Sequence, residues 1–231
     1  MSNAPFSTAI VIAAYNEEKR LPAVIRDVKR EGWPWVIVVD DGSRDKTALV
    51  AKKAGADVLV QKRNQGQGAA LRTGIQHALK RGAERIVTYD ADGQFLAREI
   101  KTVVLPVVRG EVAIVMGSRF SGRTVNMSLM KRCMLWFAIL FTRVLSGIKV
   151  TDTHNGFRCL SRSAAEKIRI TQNRMEHASE IIDEVAQNNL PWKEVPVTII
   201  YHEEGQHPLK AIGMGFRLLR WKLGRINRRT K

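Results

Sequence analysis

The chain is short of acidic residues, has almost no cysteine and contains no long apolar run, and each shortage excludes something. Against 38 Lys and Arg stand 22 Asp and Glu, a formal net charge of +16. The summed field therefore attracts anions over long range, which admits phosphorylated substrates, anionic lipid headgroups and nucleic acid as partners. The only two cysteines, Cys133 and Cys159, form neither a disulfide framework nor a metal-binding spacing. That is the usage of a reducing cytosol, and both read as packing residues. The longest uninterrupted apolar stretch, residues 133–141, falls far short of the roughly 20 residues that span a bilayer. Lys131, Arg132 and Arg143 flank it, so it can lie on a membrane surface but not cross one. Residues 1–7 are uncharged and carry no leader pattern, and a cytoplasmic location is expected. No Pro/Gly/Ser-rich linker and no repeat divides the 231 residues, 45% of them hydrophobic. A single domain over 1–231 with a full core is expected.

What the chain does have is alternation. Apolar β-type runs at 8–14, 35–40, 57–61, 85–89 and 112–118 are separated by helical patterns at 18–30, 46–54, 69–81 and 96–109. Near-continuous apolar strands separated by single helices predict an α/β fold whose mostly parallel sheet is covered on both faces. Ligands of such sheets bind beyond the carboxyl ends of the strands. The residues to read are therefore Tyr15-Asn16-Glu17, Asp40-Asp41-Gly42-Ser43, the stretch from Asn64 to Gly68, the stretch from Asp90 to Gln94, and Gly117-Ser118-Arg119. After Arg119 the alternation stops. Residues 124–145 are basic and apolar, 150–160 carry Asp152-Thr153-His154-Asn155-Gly156-Phe157-Arg158, 176–189 read as a helix and 192–201 as a strand. From Leu209 an amphipathic C-terminal helix is expected, with Ile212, Phe216, Leu219, Leu223 and Ile226 on one stripe and Arg217, Arg225 and Arg228 opposite. It suits packing on the sheet and lying on a membrane equally well.

Asp90-Ala91-Asp92 follows the run 85–89, so two carboxylates emerge one residue apart from a strand end. Hard divalent cations take oxygen ligands, and Mg²⁺ is held by one or two carboxylates together with substrate phosphates. The same residues also suit a plain turn in which Asp caps the next helix.

Taken in order, Ala14-Tyr15-Asn16-Glu17-Glu18, Asp40-Asp41-Gly42-Ser43, Asn64-x-Gly66-x-Gly68-Ala69, Asp90-Ala91-Asp92, Gly117-Ser118-Arg119-Phe120, the stretch from Asp152 to Arg158 and Glu194-Val195-Pro196-Val197 resemble the family 2 nucleotide-sugar glycosyltransferases. Their order and spacing look like the polyprenyl-phosphate branch of that family, over nearly the whole chain. The resemblance implies a GT-A fold, a Rossmann-like sheet, with a nucleotide-sugar-binding half at 8–119 and an acceptor- and membrane-facing half at 120–231. It implies that Tyr15 packs on the base or ribose and that Glu17, Asp40 and Asp41 accept hydrogen bonds from them, with Ala13, Gly68 and Ala91 beside the nucleotide. Ala13 stands where the family usually has Pro. Asp90 and Asp92, with Gln94, would hold Mg²⁺ or Mn²⁺ on the donor diphosphate and stabilise the leaving group.

Gly66-Gln67-Gly68 is neither a dinucleotide fingerprint nor a Walker A sequence. Its glycines are expected to allow a tight turn and close approach of the following helix, with Arg72 facing the donor. Arg119 is expected to clamp a phosphate. The acceptor decides the remaining roles. A lipid phosphate is already largely dianionic in the cytosol and needs cations, for which Lys131, Arg132 and Arg158 are the candidates. A saccharide hydroxyl needs a general base, for which Asp152, Glu176 and Glu180 are available. In the lipid branch an Arg-x-x-Gly-x-Ser-Lys stretch is usual where this chain has His202-Glu203-Glu204-Gly205-Gln206-His207. His202 and His207 are candidate anion ligands there or ordinary surface residues. The charge also admits a nucleic-acid-binding protein. However, the basic residues are dispersed and no RNP-type or zinc pattern appears, so no specific nucleic acid is expected.

Overall fold

The computed structural model describes residues 6–125, 127, 139 and 148–201. Its first strand, β1 (Thr8–Ala14), is apolar from Ala9 onward because both of its faces are covered. Ile10, Ile12 and Ala14 enter one core, while Ala9 and Val11 enter another on the opposite side of the sheet. The chain continues through α1 (Leu21–Arg30), β2 (Val36–Asp40), α2 (Thr47–Lys53), β3 (Asp57–Val60), α3 (Gln67–Lys80) and β4 (Arg85–Asp90). A 3₁₀ turn (Ala97–Glu99) then leads into α4 (Ile100–Val108) and β5 (Ile114–Val125). The later elements are β6 (Arg158–Ser161), α5 (Arg162–Lys167), α6 (His177–Gln187) and β7 (Trp192–Ile200).

The seven strands form one sheet in the order β3-β2-β1-β4-β6-β5-β7. Only β6 runs against its neighbours, antiparallel to both β4 and β5. Residues of α1, α2 and α4 build the core on one face, and residues of α3, α5 and α6 build it on the other. The expected mostly parallel sheet with helices on both faces is what forms. Boundaries differ where local chemistry intervenes. Helix α1 starts at Leu21 rather than at residue 18, because the backbone N–H groups of Arg20 and Leu21 turn back onto the carbonyl of Glu17. Strand β5 runs seven residues past the expected end, with an irregularity between Ser118 and Arg123 in its pairing with β7. Neither β6 nor α5 was expected, since Arg158–Ser161 forms no apolar run and the six residues of α5 are too few for a helical period to show. The amphipathic helix expected from Leu209, and most of the basic apolar segment 124–145, lie outside the described residues. Among the described residues no helix is long and apolar enough to cross a membrane.

Helix α3 meets the sheet at one residue that leaves no room for a side chain. A Cβ on Gly74 would sit 2.4 Å from Cγ1 of Val11 and 3.0 Å from Cγ2 of Val39. Alanine at 74 gains up to about 1 kcal/mol of helix propensity but overpacks the interface, at about 1–3 kcal/mol. We expect Gly74→Ala to lower unfolding free energy by about 1–2 kcal/mol in denaturant titrations. We expect Gly74→Ala with Val11→Ala to cost less than the sum of the two single changes, because the second opens the space the first needs. Strict additivity would show that the contact does not set the spacing.

Candidate active site

The loops after β1 and β2 are sewn together before any ligand is considered. Backbone N–H groups of Asn16, Glu17 and Glu18 donate to Ser43 Oγ, Thr47 Oγ1 and Asp45 Oδ2 at 2.9, 2.8 and 3.1 Å. In return, the N–H groups of Arg44 and Lys46 donate to Asn16 Oδ1 and Glu18 Oε2, both at 2.9 Å. Burial works to raise the Asp45 carboxyl, but hydrogen bonds from Thr47 and Glu18 outweigh it and hold the group below the usual carboxylate range. Asn16 takes a left-handed backbone, φ 56°, which a short amide side chain tolerates. Beside this lacing Tyr15 remains 40% exposed at the strand end, a ring available to a base or ribose.

Asp40 and Asp41 are both buried and both committed to loops. Asp40 Oδ1 accepts from the Ser43 N–H at 2.9 Å. The two oxygens of Asp41 accept from the N–H groups of Gln65 and Gly66 at 2.8 and 2.7 Å, which ties the β3–α3 loop to the end of β2. The carboxylate of Glu17 lies 3.9 Å from Arg20. Ala13 sits in β1 with Val39 on one side and Asp90 on the other.

Gly66 and Gly68 serve close approach, as expected, but the segment that approaches is distant in sequence. A Cβ on either would come within 2.4 Å of the carbonyl oxygens of Asn173 and Gln172 respectively. Arg72 belongs to the same contact: its Nη1 and Nη2 donate to the Ile170 carbonyl and Asn173 Oδ1 at 3.0 and 3.1 Å, so it holds that segment rather than facing a donor. Glu180, offered above as a base, is fully engaged there. Its Oε2 accepts from the N–H groups of Thr171 and Gln172 at 2.9 Å, and its Oε1 accepts from the Thr171 hydroxyl.

Asp90 ends β4, and the Asp90–Gln94 turn is backed by aromatic rings. Tyr89, Phe95 and Phe157 meet pairwise with centroids 5.1–5.3 Å apart, and the Tyr89 hydroxyl donates to the Phe95 carbonyl. Asp92 Oδ1 accepts from the Gln94 N–H at 3.0 Å, and Gln67 Nε2 donates to Asp90 Oδ1 at 2.9 Å. Gly156 lies so close to Asp90 that a Cβ would stand 2.8 Å from both carboxylate oxygens. Burial first and the Asp92 charge second raise the Asp90 carboxyl to about 7, against the pull of Arg158 and Arg119. Two carboxylates held this close repel each other, and a divalent cation relieves that repulsion. Among the described residues no third His, Cys, Asp or Glu joins them. Two carboxylates fit a hard divalent cation such as Mg²⁺ or Mn²⁺, which would complete its oxygen shell from phosphates and water.

Loop 151–157 brings the second half of the chain to this point. Glu194 in β7 holds its start: its carboxylate accepts from the Thr151 and Asp152 N–H groups and from the Thr151 hydroxyl at 2.8–3.1 Å. Asp152 in turn receives the N–H and Nε of Arg119 on Oδ2, at 3.0 and 2.6 Å, and Arg119 Nη1 donates to the Tyr201 hydroxyl at 2.5 Å. Arg119 is 8% and Asp152 2% exposed. Burial opposes the Arg119 charge, but Asp152 and Tyr201 more than compensate and keep it protonated. Arg119 is thus the partner of a buried carboxylate before it is a ligand for phosphate. Arg158 is also buried, its Nη2 donating to the carbonyls of Thr153 and Ala178 at 3.2 and 3.3 Å. Burial lowers its pKa to about 10, while Asp152 and Asp90 support its charge. It braces the loop against α6 rather than waiting at the surface for an acceptor.

The fold therefore gathers Tyr15, Asp40, Asp41, Asp90, Ala91, Asp92, Arg119 and Asp152 at one end of the sheet. Lys131, Arg132, His202 and His207 lie outside the described residues. Gln67, Glu194 and Tyr201 were not singled out from sequence for the contacts they make, because each acts across more than 20 residues of chain. In the absence of a cation Asp90 is disfavoured in its charged form; that penalty is absent below about pH 4 and complete above about pH 7. We therefore expect Asp90→Asn to raise the melting temperature of metal-free protein progressively from pH 4 to 7. A pH-independent difference would contradict the buried-carboxylate assignment.

The comparisons with known proteins agree with this geometry. The UDP-N-acetylglucosamine–dolichyl-phosphate N-acetylglucosaminyltransferase of Methanococcus voltae is 30% identical over 94% of this chain and 96% of its own. Polyprenol monophosphomannose synthase of Mycolicibacterium smegmatis is 31% identical over 96% and 89%. Glucosyl-3-phosphoglycerate synthase of Mycobacterium tuberculosis, solved in complex with Mn²⁺ and UDP-glucose, superposes with a TM-score of 0.73 at 20% identity, covering 94% of this chain and 79% of that one. Its likeness supports the GT-A fold alone. The Glycosyl transferase family 2 model matches residues 9–169, and with strand-end loops, paired aspartates and relatives in agreement, the chain belongs to glycosyl transferase family 2.

Proposed function

We propose that this glycosyltransferase moves a hexose from a nucleoside-diphosphate sugar to a polyprenyl phosphate at the cytosolic face of a membrane, with inversion and with a divalent metal. The observation that carries this reading is the Asp90–Asp92 pair at the carboxyl end of β4, with Gly156 of the acceptor-side loop resting on Asp90. Tyr15 packs on the nucleoside, and Asp40, Asp41 and Glu17 border it. Mg²⁺ or Mn²⁺ on Asp90 and Asp92, with Gln94 beside them, would stabilise the charge that builds on the departing nucleoside diphosphate. Arg119, anchored through Asp152 and Tyr201, offers the rest of its guanidinium to an anion. Displacement is in line and single, with no side chain acting as covalent nucleophile.

A lipid phosphate supplies its own oxyanion, so this acceptor calls for cations rather than a base. Arg132 and Lys131 are proposed to bind it. The basic segment that contains them, together with the Arg-rich C-terminal stretch, is proposed to hold the protein on anionic lipid. The relatives named for dolichyl-phosphate and polyprenol substrates support the choice. One observation favours the second reading, transfer to a saccharide hydroxyl: among the described residues Asp152 Oδ1 has no hydrogen-bond partner and could take a proton.

Two outcomes test these assignments. Asp92→Asn should lower transfer by about 100-fold or more. It should weaken nucleotide-sugar binding much more with Mn²⁺ present than in its absence, and equal loss under both conditions would refute the metal role. Arg132→Ala should raise the KM for polyprenyl phosphate about 10-fold or more, as loss of a charge-assisted contact does, with donor binding unchanged. Assayed beside free polyprenol and simple saccharides, glycosylation of the hydroxyl compounds alone would establish the second reading instead.

A further inference from the structure

Three buried side-chain polar atoms lack a hydrogen-bond partner among the described residues: Asp152 Oδ1, His154 Nε2 and Ser179 Oγ. Leaving a buried polar atom unsatisfied is costly, and each one in a folded protein asks for an explanation. These three are not scattered. Arg158 Nη2 donates to the carbonyl of Thr153, which lies between Asp152 and His154, and to the carbonyl of Ala178, which precedes Ser179. One guanidinium thus joins the two segments that carry all three atoms. Gly156, in the same loop, rests on the carboxylate of Asp90. The loop that carries Asp152 and His154 is therefore laid against the Asp90 carboxylate, and Arg158 ties the segment of Ser179 to it.

The chemistry of the set limits what it can receive. The two cations nearby are already engaged, Arg119 by Asp152 and Tyr201, and Arg158 by two carbonyls. What remains is a carboxylate oxygen that only accepts, a hydroxyl that does both, and an imidazole whose Nδ1 is 2.8 Å from Thr153 Oγ1. Burial, reinforced by Arg119 and Arg158, holds that imidazole neutral, its pKa lowered to about 4 despite the opposing pull of Asp152. A phosphate would find no cation among these three groups themselves. A ring of neutral hydroxyls would find a partner for each of its donors and acceptors.

Resting on the glycosyltransferase reading above, we infer that His154 and Ser179 determine sugar specificity by hydrogen-bonding hydroxyl groups of the hexose being transferred. Asp152 Oδ1 is carried by the same loop as His154. Discrimination then follows from the cost of leaving these buried groups unpaired when a hydroxyl is missing.

The experiment compares binding of UDP-glucose, UDP-N-acetylglucosamine and GDP-mannose with binding of bare UDP and GDP, all with Mn²⁺, by calorimetry on the full chain. His154→Phe and Ser179→Ala should each weaken binding of the preferred sugar nucleotide about 10-fold, while the bare diphosphate binds within about two-fold of wild type. In transfer assays with deoxy analogues of that sugar, each variant should lose the preference for the parent at one ring position. His154→Gln, which keeps polar atoms in reach, should restore part of it and stands in if His154→Phe does not fold. Equal weakening of sugar nucleotide and bare diphosphate, or unchanged discrimination among deoxy analogues, overturns the inference and leaves the glycosyltransferase reading standing. A wild-type protein that binds none of the sugar nucleotides overturns both.

Discussion

The site depends on one strand that runs the wrong way. Strand β6 enters the sheet antiparallel between β4 and β5, pairing Thr88 with Arg158 on one side and Met116 with Arg158 on the other. Because it runs opposite to its neighbours, the residues that precede it emerge at the end of the sheet where β4 and β5 finish. The loop before β6 is thereby laid across the ends of two parallel strands. Thr88 Oγ1 donates to the Gly156 carbonyl at 2.5 Å, and the Gly117 N–H donates to the Phe157 carbonyl at 2.8 Å, fixing the loop's height above the sheet. Without that insertion Asp152, His154 and Arg158 would have no reason to stand near Asp90.

Bringing these residues together buries charge, and the structure answers with pairing. Asp152 is matched by Arg119, and Arg158 feels both Asp152 and Asp90. Removing one member of such a set strands the other in a low-dielectric surrounding, which is far more damaging than never having built the pair. Asp90 is the exception, a carboxylate on which the strongest charge effect comes from another carboxylate. It is kept in place by Gln67, by the aromatic cluster behind it and by the glycine against it. Such local frustration persists where a ligand resolves it.

Carboxylates have a second use in this fold, as clamps on backbone amides far away in sequence. Asp41 holds the loop before α3, Glu180 holds residues 171–172, Glu194 holds residues 151–152, and Glu99 takes the N–H and hydroxyl of Thr198 at 2.8 and 2.7 Å. Irregular segments must satisfy their buried N–H groups somewhere, and a charged acceptor makes the stronger bond. A carboxylate at a strand end is thus open to two roles that look alike on paper. Glu180 shows the difference, since the oxygens that would make it a base are occupied by the loop it secures.

The alternation of apolar runs and helical patterns determined the sheet and its mostly parallel character, because those features follow from local periodicity and from the geometry of parallel crossovers. The Asp-x-Asp turn and the exposed Tyr15 were equally readable, since each is set by its own strand end. Only the tertiary structure decided the rest. The antiparallel β6 forms no apolar run that would mark it. The approach of Asn173 to Gly66, the bracing of Arg158 on α6 and the hold of Glu194 on Asp152 join residues 20 to 107 positions apart. No periodicity encodes such contacts, because they arise from how packed layers place loops side by side.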